Sequence, residues 1–333
     1  MKNAVKFLFV LAIIPLLTMM SCKEEATETE YQKLTTYMAQ NNLDLADVLN
    51  GWVVGASGLS VDPVDFSVPN YTIFDIRSAD AFAAGHIKNA QNVALADLLT
   101  AAETAGKDKT FLLVCYTGQT AARATGLLRL MGYNAKTLKW GMSCWHEDFA
   151  GSWNSNATDF ASPNWVTTGT PPALSTFDDP SVVTGEVNGE DILRARVEAA
   201  LAKSDWGIAK TDVLDNPGNY FIINKWALTA WDAYGHINGA YRIDEDMSLN
   251  TLSNIDPAKT VVTYCYTGQT SSITTAWLNV LGYNAQSLKF GANAIVHTNL
   301  AAGSGSVAWK GNGSSSEMNF GYYDGTGLMH DPK

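Results

Sequence analysis

Six residues, Cys115-Tyr116-Thr117-Gly118-Gln119-Thr120, return unchanged as Cys265-Tyr266-Thr267-Gly268-Gln269-Thr270. Cysteine acts as a nucleophile through its thiolate, so the surroundings of the sulfur decide whether it reacts. Each copy follows a short apolar run, Thr110 to Val114 or Thr260 to Tyr264, that reads as a buried parallel strand, and each precedes a helical pattern. A sulfur is therefore expected at a strand's carboxyl end, beneath a helix amino terminus. There the unpaired amides of a tight loop and the positive end of the helix dipole favour the thiolate, lowering its pKa. Gly118 and Gly268 let the backbone turn those amides inward. A lone cysteine at a strand end is commonly a small buried hydrophobe; an identical hexapeptide at two such junctions points to a reactive role.

The elements that must position these loops are legible on either side. Tyr31 to Leu49 predicts one or two helices, Trp52 to Val54 a strand, and the stretch from Gly55 to Asn70, with Pro63 and Pro69, a loop. Tyr71 to Arg77 reads as a strand ending in an acid, Asp75, and a base, Arg77. Gly235-His236-Ile237, Cys265 and Gly282-Tyr283-Asn284-Ala285 each lie 150 residues after their counterparts, which marks a tandem duplication. At that offset Lys225 stands for Asp75, Ala227 for Arg77 and Asp232 for Phe82. Asp191 to Ala202 predicts the second unit's opening helix, and Tyr220 to Ile223 its strand equivalent to the one ending in Asp75.

Asp75-x-Arg77, then Phe82-x-x-Gly85-His86-Ile87-x-x-Ala90-x-Asn92-Val93, a strand and a Cys-x-x-Gly loop resemble, in order and spacing, the rhodanese (sulfurtransferase) domain. Leu138-Lys139-Trp140-Gly141 with Trp145 resembles that family's closing segment. The resemblance implies an α/β chain of two rhodanese-like domains, each a mainly parallel sheet flanked by helices on both faces. They are expected at residues 31–150 and 181–300, joined by a linker at 151–180 and followed by a Gly/Ser-rich tail at 301–333. It also implies a sulfurtransferase. The thiolate of Cys115 or Cys265 would take sulfane sulfur from a small sulfur-containing anion or persulfide donor and hand it to a thiol or cyanide, with Cys115 the more active of the two. Tyr116, Thr117, Gly118, Gln119 and Thr120, with Tyr266, Thr267, Gly268, Gln269 and Thr270, would form the substrate-binding loops. Asp75 and Arg77 would support them, and His86 and His236 would be buried structural imidazoles.

Departures from the family's pattern narrow the chemistry. The fifth residue after the cysteine is often Arg or Lys in relatives that use thiosulfate; here it is Thr120 and Thr270. A pocket without that cation predicts weak use of thiosulfate and preference for a less charged donor. A rhodanese-fold phosphatase or arsenate reductase needs a longer loop and an arginine six positions after the cysteine, where Ala121 and Ser271 stand. Helical spacing turns Arg123 away from the loop floor. A non-catalytic binding module at the cell envelope is the alternative of a different class, favoured by what the second copy lacks and opposed by both retained cysteines.

With 333 residues, 46% hydrophobic and 17% charged, the chain is long and apolar enough for two globular domains. Its net charge of -11 argues against nucleic acid as a partner. Lys2 and Lys6 ahead of the apolar run Phe7 to Leu17 match a secretory leader. Met19-Met20-Ser21-Cys22 resembles a lipobox, which implies a signal peptide at 1–21, a lipid-anchored Cys22 and an acidic tether at 22–30. The expected location is the cell envelope, periplasmic or at the outer-membrane surface. Cys115, Cys144 and Cys265 are then left in an oxidising compartment, an odd number that leaves at least one thiol unpaired. Cys144, which has no counterpart, reads as packing. No metal or organic cofactor is expected, because no His/Cys cluster has ligand spacing.

Overall fold

The computed structural model describes residues 28–243, 247–303, 307–311 and 317–333; the leader and Cys22 lie outside them. The apolar runs Phe111 to Val114 and Val261 to Tyr264 sit in the middle of two sheets and are buried on both faces, which is why they do not alternate with polar residues. The first sheet runs Val53–Val54, Asn134–Leu138, Thr110–Val114, Thr72–Asp75, Gln91–Asn92, with every neighbouring pair parallel. The second repeats that order as Gly207–Ile208, Ala285–Leu288, Thr260–Tyr264, Tyr220–Asn224, and Tyr241 extends it through a parallel bridge to Ile223. Both are parallel α/β sheets flanked by helices, the architecture expected from the sequence.

The two units share one interior. Helices Gln119–Leu130 and Gln269–Val280 pack on each other between the sheets, and a single apolar cluster runs from Leu113 and Leu127 through Ile273 and Trp277 to Val261. Gly126 permits this approach, since a Cβ there would lie 3.1 Å from Ile273 Cγ2. The opening helices also cross over: Glu30–Gln40 packs on Gly189–Ala202, and Trp277 Nε1 donates to the Leu43 carbonyl at 3.1 Å. Arg123 is fully buried and donates to the carbonyls of Ala200 and Lys203. It thus caps the carboxyl end of Gly189–Ala202, where a cation is favoured by the helix dipole.

The sheet register corrects the upstream alignment. Asp75 pairs with Val114, and Asn224 pairs with the equivalent Tyr264, so Asn224 and not Lys225 takes the place of Asp75. Trp226 then replaces Arg77 in place of Ala227, its N–H donating to Asn224 Oδ1 at 3.1 Å as Arg77 N–H donates to Asp75 Oδ1. Trp231 replaces Phe82 in place of Asp232, because both rings stack on the histidine of the following turn. The constant offset fails ahead of the Gly-His-Ile turn by one residue, which the helices before that turn absorb: Ala79–Ala84 in the first unit, Leu228–Tyr234 in the second.

The tail folds back onto the first domain. Met318 and Phe320 N–H groups donate to the Cys144 and Trp145 carbonyls at 2.8 Å, Trp145 Nε1 donates to Gly321, and Tyr323 bridges to His86. The linker docks on the second domain, with Trp165–Val166 paired antiparallel to His236–Ile237. A Gly126→Val substitution should lower the unfolding free energy by about 1–3 kcal/mol in urea titrations, because overpacking the helix crossing outweighs the roughly 0.4 kcal/mol that valine gains in helix propensity. Unchanged stability would mean that the central helices do not meet at this residue.

Candidate active site

Each cysteine loop is shaped by where its carbonyls go. Cys115 and Tyr116 carbonyls accept from the N–H groups of Met142 and Ser143 at 2.8 and 3.1 Å, and those of Cys265 and Tyr266 accept from Ala292 and Asn293 at 3.0 Å each. With the carbonyls drawn outward, amides face the sulfur: Gly118 and Ala121 N–H donate to Cys115 Sγ at 3.2 and 3.4 Å, and Ser271 N–H donates to Cys265 Sγ at 3.4 Å. Gly118 and Gly268 head the two helices at φ 80° and 75°, a left-handed turn that glycine takes without strain.

The two sulfurs nevertheless meet different surroundings. Burial pushes the Cys115 thiol up, against the downward pull of the Ala121, Thr117 and Gly118 amides, and the Asp75 carboxylate pushes the same way as burial. The loop's lowering effect, expected from the sequence, is outweighed there because the sulfur is enclosed. At the second loop the neutral Asn224 stands in the place of Asp75, hydrogen-bonded to the Tyr264 hydroxyl at 2.7 Å. Ser271, where the first loop has Ala121, brings its hydroxyl within 3.5 Å of Cys265 Sγ and shares a 2.8 Å hydrogen bond with Ser287. A hydroxyl placed there can donate to a thiolate.

The supporting residues act through the loop rather than on the sulfur. Arg77 is paired with Asp75 at 2.6 Å, donates to the Gly85 carbonyl and lies 5.0 Å from the Tyr116 ring. Trp226 covers Tyr266 at 4.9 Å in the same position. His86 and His236 stack on Phe82 and Trp231 at 3.9 and 3.5 Å, and burial lowers the pKa of His236. Cys144 is buried with its thiol donating to Gly141 and its pKa pushed up to about 12. Arg123 points away from the loop to its helix-capping position, and Ala121 and Ser271 hold the positions an oxyanion-clamping arginine would need. Among the described residues no group of three or more His, Cys, Asp or Glu side chains is placed to hold a metal ion.

The loop glutamines reach out of their own domains. Gln119 Oε1 accepts from the Phe290 N–H at 2.6 Å, and Gln269 Oε1 accepts from the Trp140 N–H at 3.4 Å. Trp140 and Phe290 hold φ values of 68° and 63°, a backbone conformation costly for large side chains and retained here where it aims an amide at the opposite loop. Each loop is consequently roofed by the other domain. A cavity of about 260 Å³ is lined by Cys265, Tyr266, Thr267 and Thr270 together with Trp52, Val53 and Lys139 from the first domain. Its counterpart of about 290 Å³ joins Thr117, Gln119 and Thr120 to Trp206, Gly207, Lys289 and Phe290; Cys115 is not part of that lining. The lysines correct the expectation of a pocket without a cation. Thr120 and Thr270 are neutral, but Lys289 and Lys139 enter from the neighbouring domain. Lys139, Lys289 and the Ser271 hydroxyl are the site residues that motif spacing missed. The repeated Leu138-Lys139-Trp140-Gly141 and Leu288-Lys289-Phe290-Gly291 were the available signal.

Replacing Ser271 by Ala removes a hydrogen-bond donor worth about 1.5 kcal/mol to a charged sulfur. The rate of Cys265 alkylation by iodoacetamide at neutral pH should fall about tenfold, by peptide-resolved mass spectrometry. An unchanged rate would assign Ser271 to packing alone.

No curated protein matches the sequence. Among solved structures, a rhodanese-related protein from Thermoplasma volcanium is 21% identical over 30% of this chain and 91% of its own, with a TM-score of 0.25. The 3-mercaptopyruvate sulfotransferase SseA from Escherichia coli is 17% identical over 71% of this chain and 97% of its own, with a TM-score of 0.26. A thiosulfate sulfurtransferase from Pseudomonas aeruginosa is 14% identical over 74% of this chain and 42% of its own, also with a TM-score of 0.26. The family model for the rhodanese-like domain matches residues 65–148 and again 216–298, each match spanning one parallel sheet's central strands and its cysteine loop. With half of its length matched by that model in two copies, this chain belongs to the rhodanese-like domain family.

Proposed function

We propose that this protein is a sulfurtransferase that carries sulfane sulfur as a persulfide on Cys265, with the first domain forming the opposite wall of the site. The observation that carries the reading is that Cys265 Sγ opens on a cavity while an amide and a hydroxyl of Ser271 lie against it. The Cys265 thiolate attacks the outer sulfur of a donor such as thiosulfate or an organic persulfide. A bond forms between the two sulfurs as the donor's S–S bond breaks, and its electron pair leaves with sulfite or a thiolate. The enzyme persulfide is anionic, and preorganised loop donors stabilise it without reorganising. A thiophile then takes the terminal sulfur; with cyanide the product is thiocyanate, and the Cys265 thiolate returns.

This ranking favours Cys265 over Cys115, the reverse of the expectation from motifs alone. It is supported by the enclosure of Cys115 beside Asp75 and by the Ser271 hydroxyl at the second loop. The leader and Cys22 support an envelope protein held by a lipid anchor. In detergent phase separation the wild type should enter the detergent phase and Cys22→Ala the aqueous phase; an aqueous wild type would end that part of the reading.

Sulfur transfer from polysulfide or thiosulfate to cyanide tests the activity, with mass spectrometry of each cysteine. Cys265→Ser should abolish most of the transfer and the persulfide, and Cys115→Ser should cost less. No persulfide on either cysteine from any donor would instead favour a binding module.

A further inference from the structure

We propose that Lys139, supplied by the first domain, is the anion-recognising residue of the second domain's cavity. The donor accepted at Cys265 is then a small sulfane compound with an oxyanion head, sulfonate or carboxylate. The proposal deepens the sulfur-transfer reading and takes its substrate class from it.

Lys139 and Cys265 line the same cavity from opposite domains. The backbone that carries the lysine is pinned on both sides. Its own N–H donates to the Val54 carbonyl at 2.9 Å, next to Val53 and Trp52 of the cavity wall, and the following residue, Trp140, donates its N–H to Gln269 of the second loop. The side chain is half-buried, with its ammonium 5.3 Å from the Trp140 ring. Burial lowers the pKa of Lys139, as expected where water is partly excluded and an anion is less screened. The arrangement recurs on the other side. Lys289 N–H donates to Ile208 at 3.0 Å, its side chain passes over Gly207, and it lines the cavity beside Thr117 and Thr120. Two copies of the same segment each deliver a lysine to the opposite loop, although neither loop carries a cation of its own.

The chemistry needs such a group. As the thiolate attacks, the donor's S–S bond breaks and its electron pair moves onto the departing sulfite or thiolate. A fixed ammonium across the cavity stabilises the growing charge, and the Thr270 side chain on the loop adds a hydroxyl to the lining.

The test compares alkylation of Cys265 by iodoacetate, which is anionic, with that by neutral iodoacetamide in the full chain. Lys139→Met keeps the aliphatic stem and should lower the iodoacetate-to-iodoacetamide rate ratio about threefold, Lys139→Arg should restore it, and salt should erode it in the wild type. In sulfur transfer, Lys139→Met should raise KM for thiosulfate and for the persulfide of thioglycolate, but not for the persulfide of 2-mercaptoethanol. The first two donors separate a sulfonate head from a carboxylate head. Should Lys139→Met fold poorly by circular dichroism, Lys139→Gln serves instead. An unchanged ratio overturns the proposal even where sulfur transfer proceeds, and so does a Cys265 that reacts with neither reagent. A reduced ratio without transfer from any donor keeps the anion subsite and removes the activity.

Discussion

Two side-chain amides cross the boundary between the domains, and the rest of the site depends on that exchange. Gln119 binds the main chain at Phe290 and Gln269 binds it at Trp140, so the residue beginning each helix holds the roof of the other loop. Beneath them the central helices share one apolar cluster and meet at Gly126 and Ile273. Separating the domains would uncover that core and leave buried hydrogen-bonding groups unpaired, each worth about 1–3 kcal/mol. The two cysteine loops are therefore halves of a single interface rather than independent sites.

Within that symmetric frame the copies have diverged in charge. The first loop is braced by a buried ion pair, Asp75 with Arg77, whose guanidinium lies against Tyr116. The second is braced without charge, by Asn224 bonded to the Tyr264 hydroxyl and by Trp226 on Tyr266. A carboxylate near a buried sulfur opposes its ionisation, whereas a hydroxyl in contact with it can donate to a thiolate. The tail deepens the asymmetry. Trp153 donates to the Thr117 carbonyl at 3.1 Å and packs with Trp140 and with Trp309, closing the outer side of the first domain.

Much of the fold was legible because its signals are local. An apolar run followed by Cys-x-x-Gly and a helical pattern specifies strand, loop and helix within about twenty residues, and repeating it reveals the duplication. Less was legible where spacing and space diverge. Counting back 150 residues from the second copy pairs Asp75 with Lys225, yet the ladder pairs Thr263 and Tyr264 with Ile223 and Asn224. Hydrogen bonding between strands sets the register, and a one-residue change in the intervening helix leaves no mark in composition.

The sequence by itself determined that two sulfurs sit at strand ends under helix termini, that their loops are tight and that neither loop carries a cation. Those are properties of residue type and near-neighbour spacing. Only the tertiary structure decided that Lys139 lies across a cavity from Cys265, that the tail belongs to the first domain, and that the two sulfurs differ in what surrounds them. Each is a contact between segments more than a hundred residues apart, brought together by burial of a shared apolar face. Burial is blind to spacing along the chain, so no motif could have carried that information.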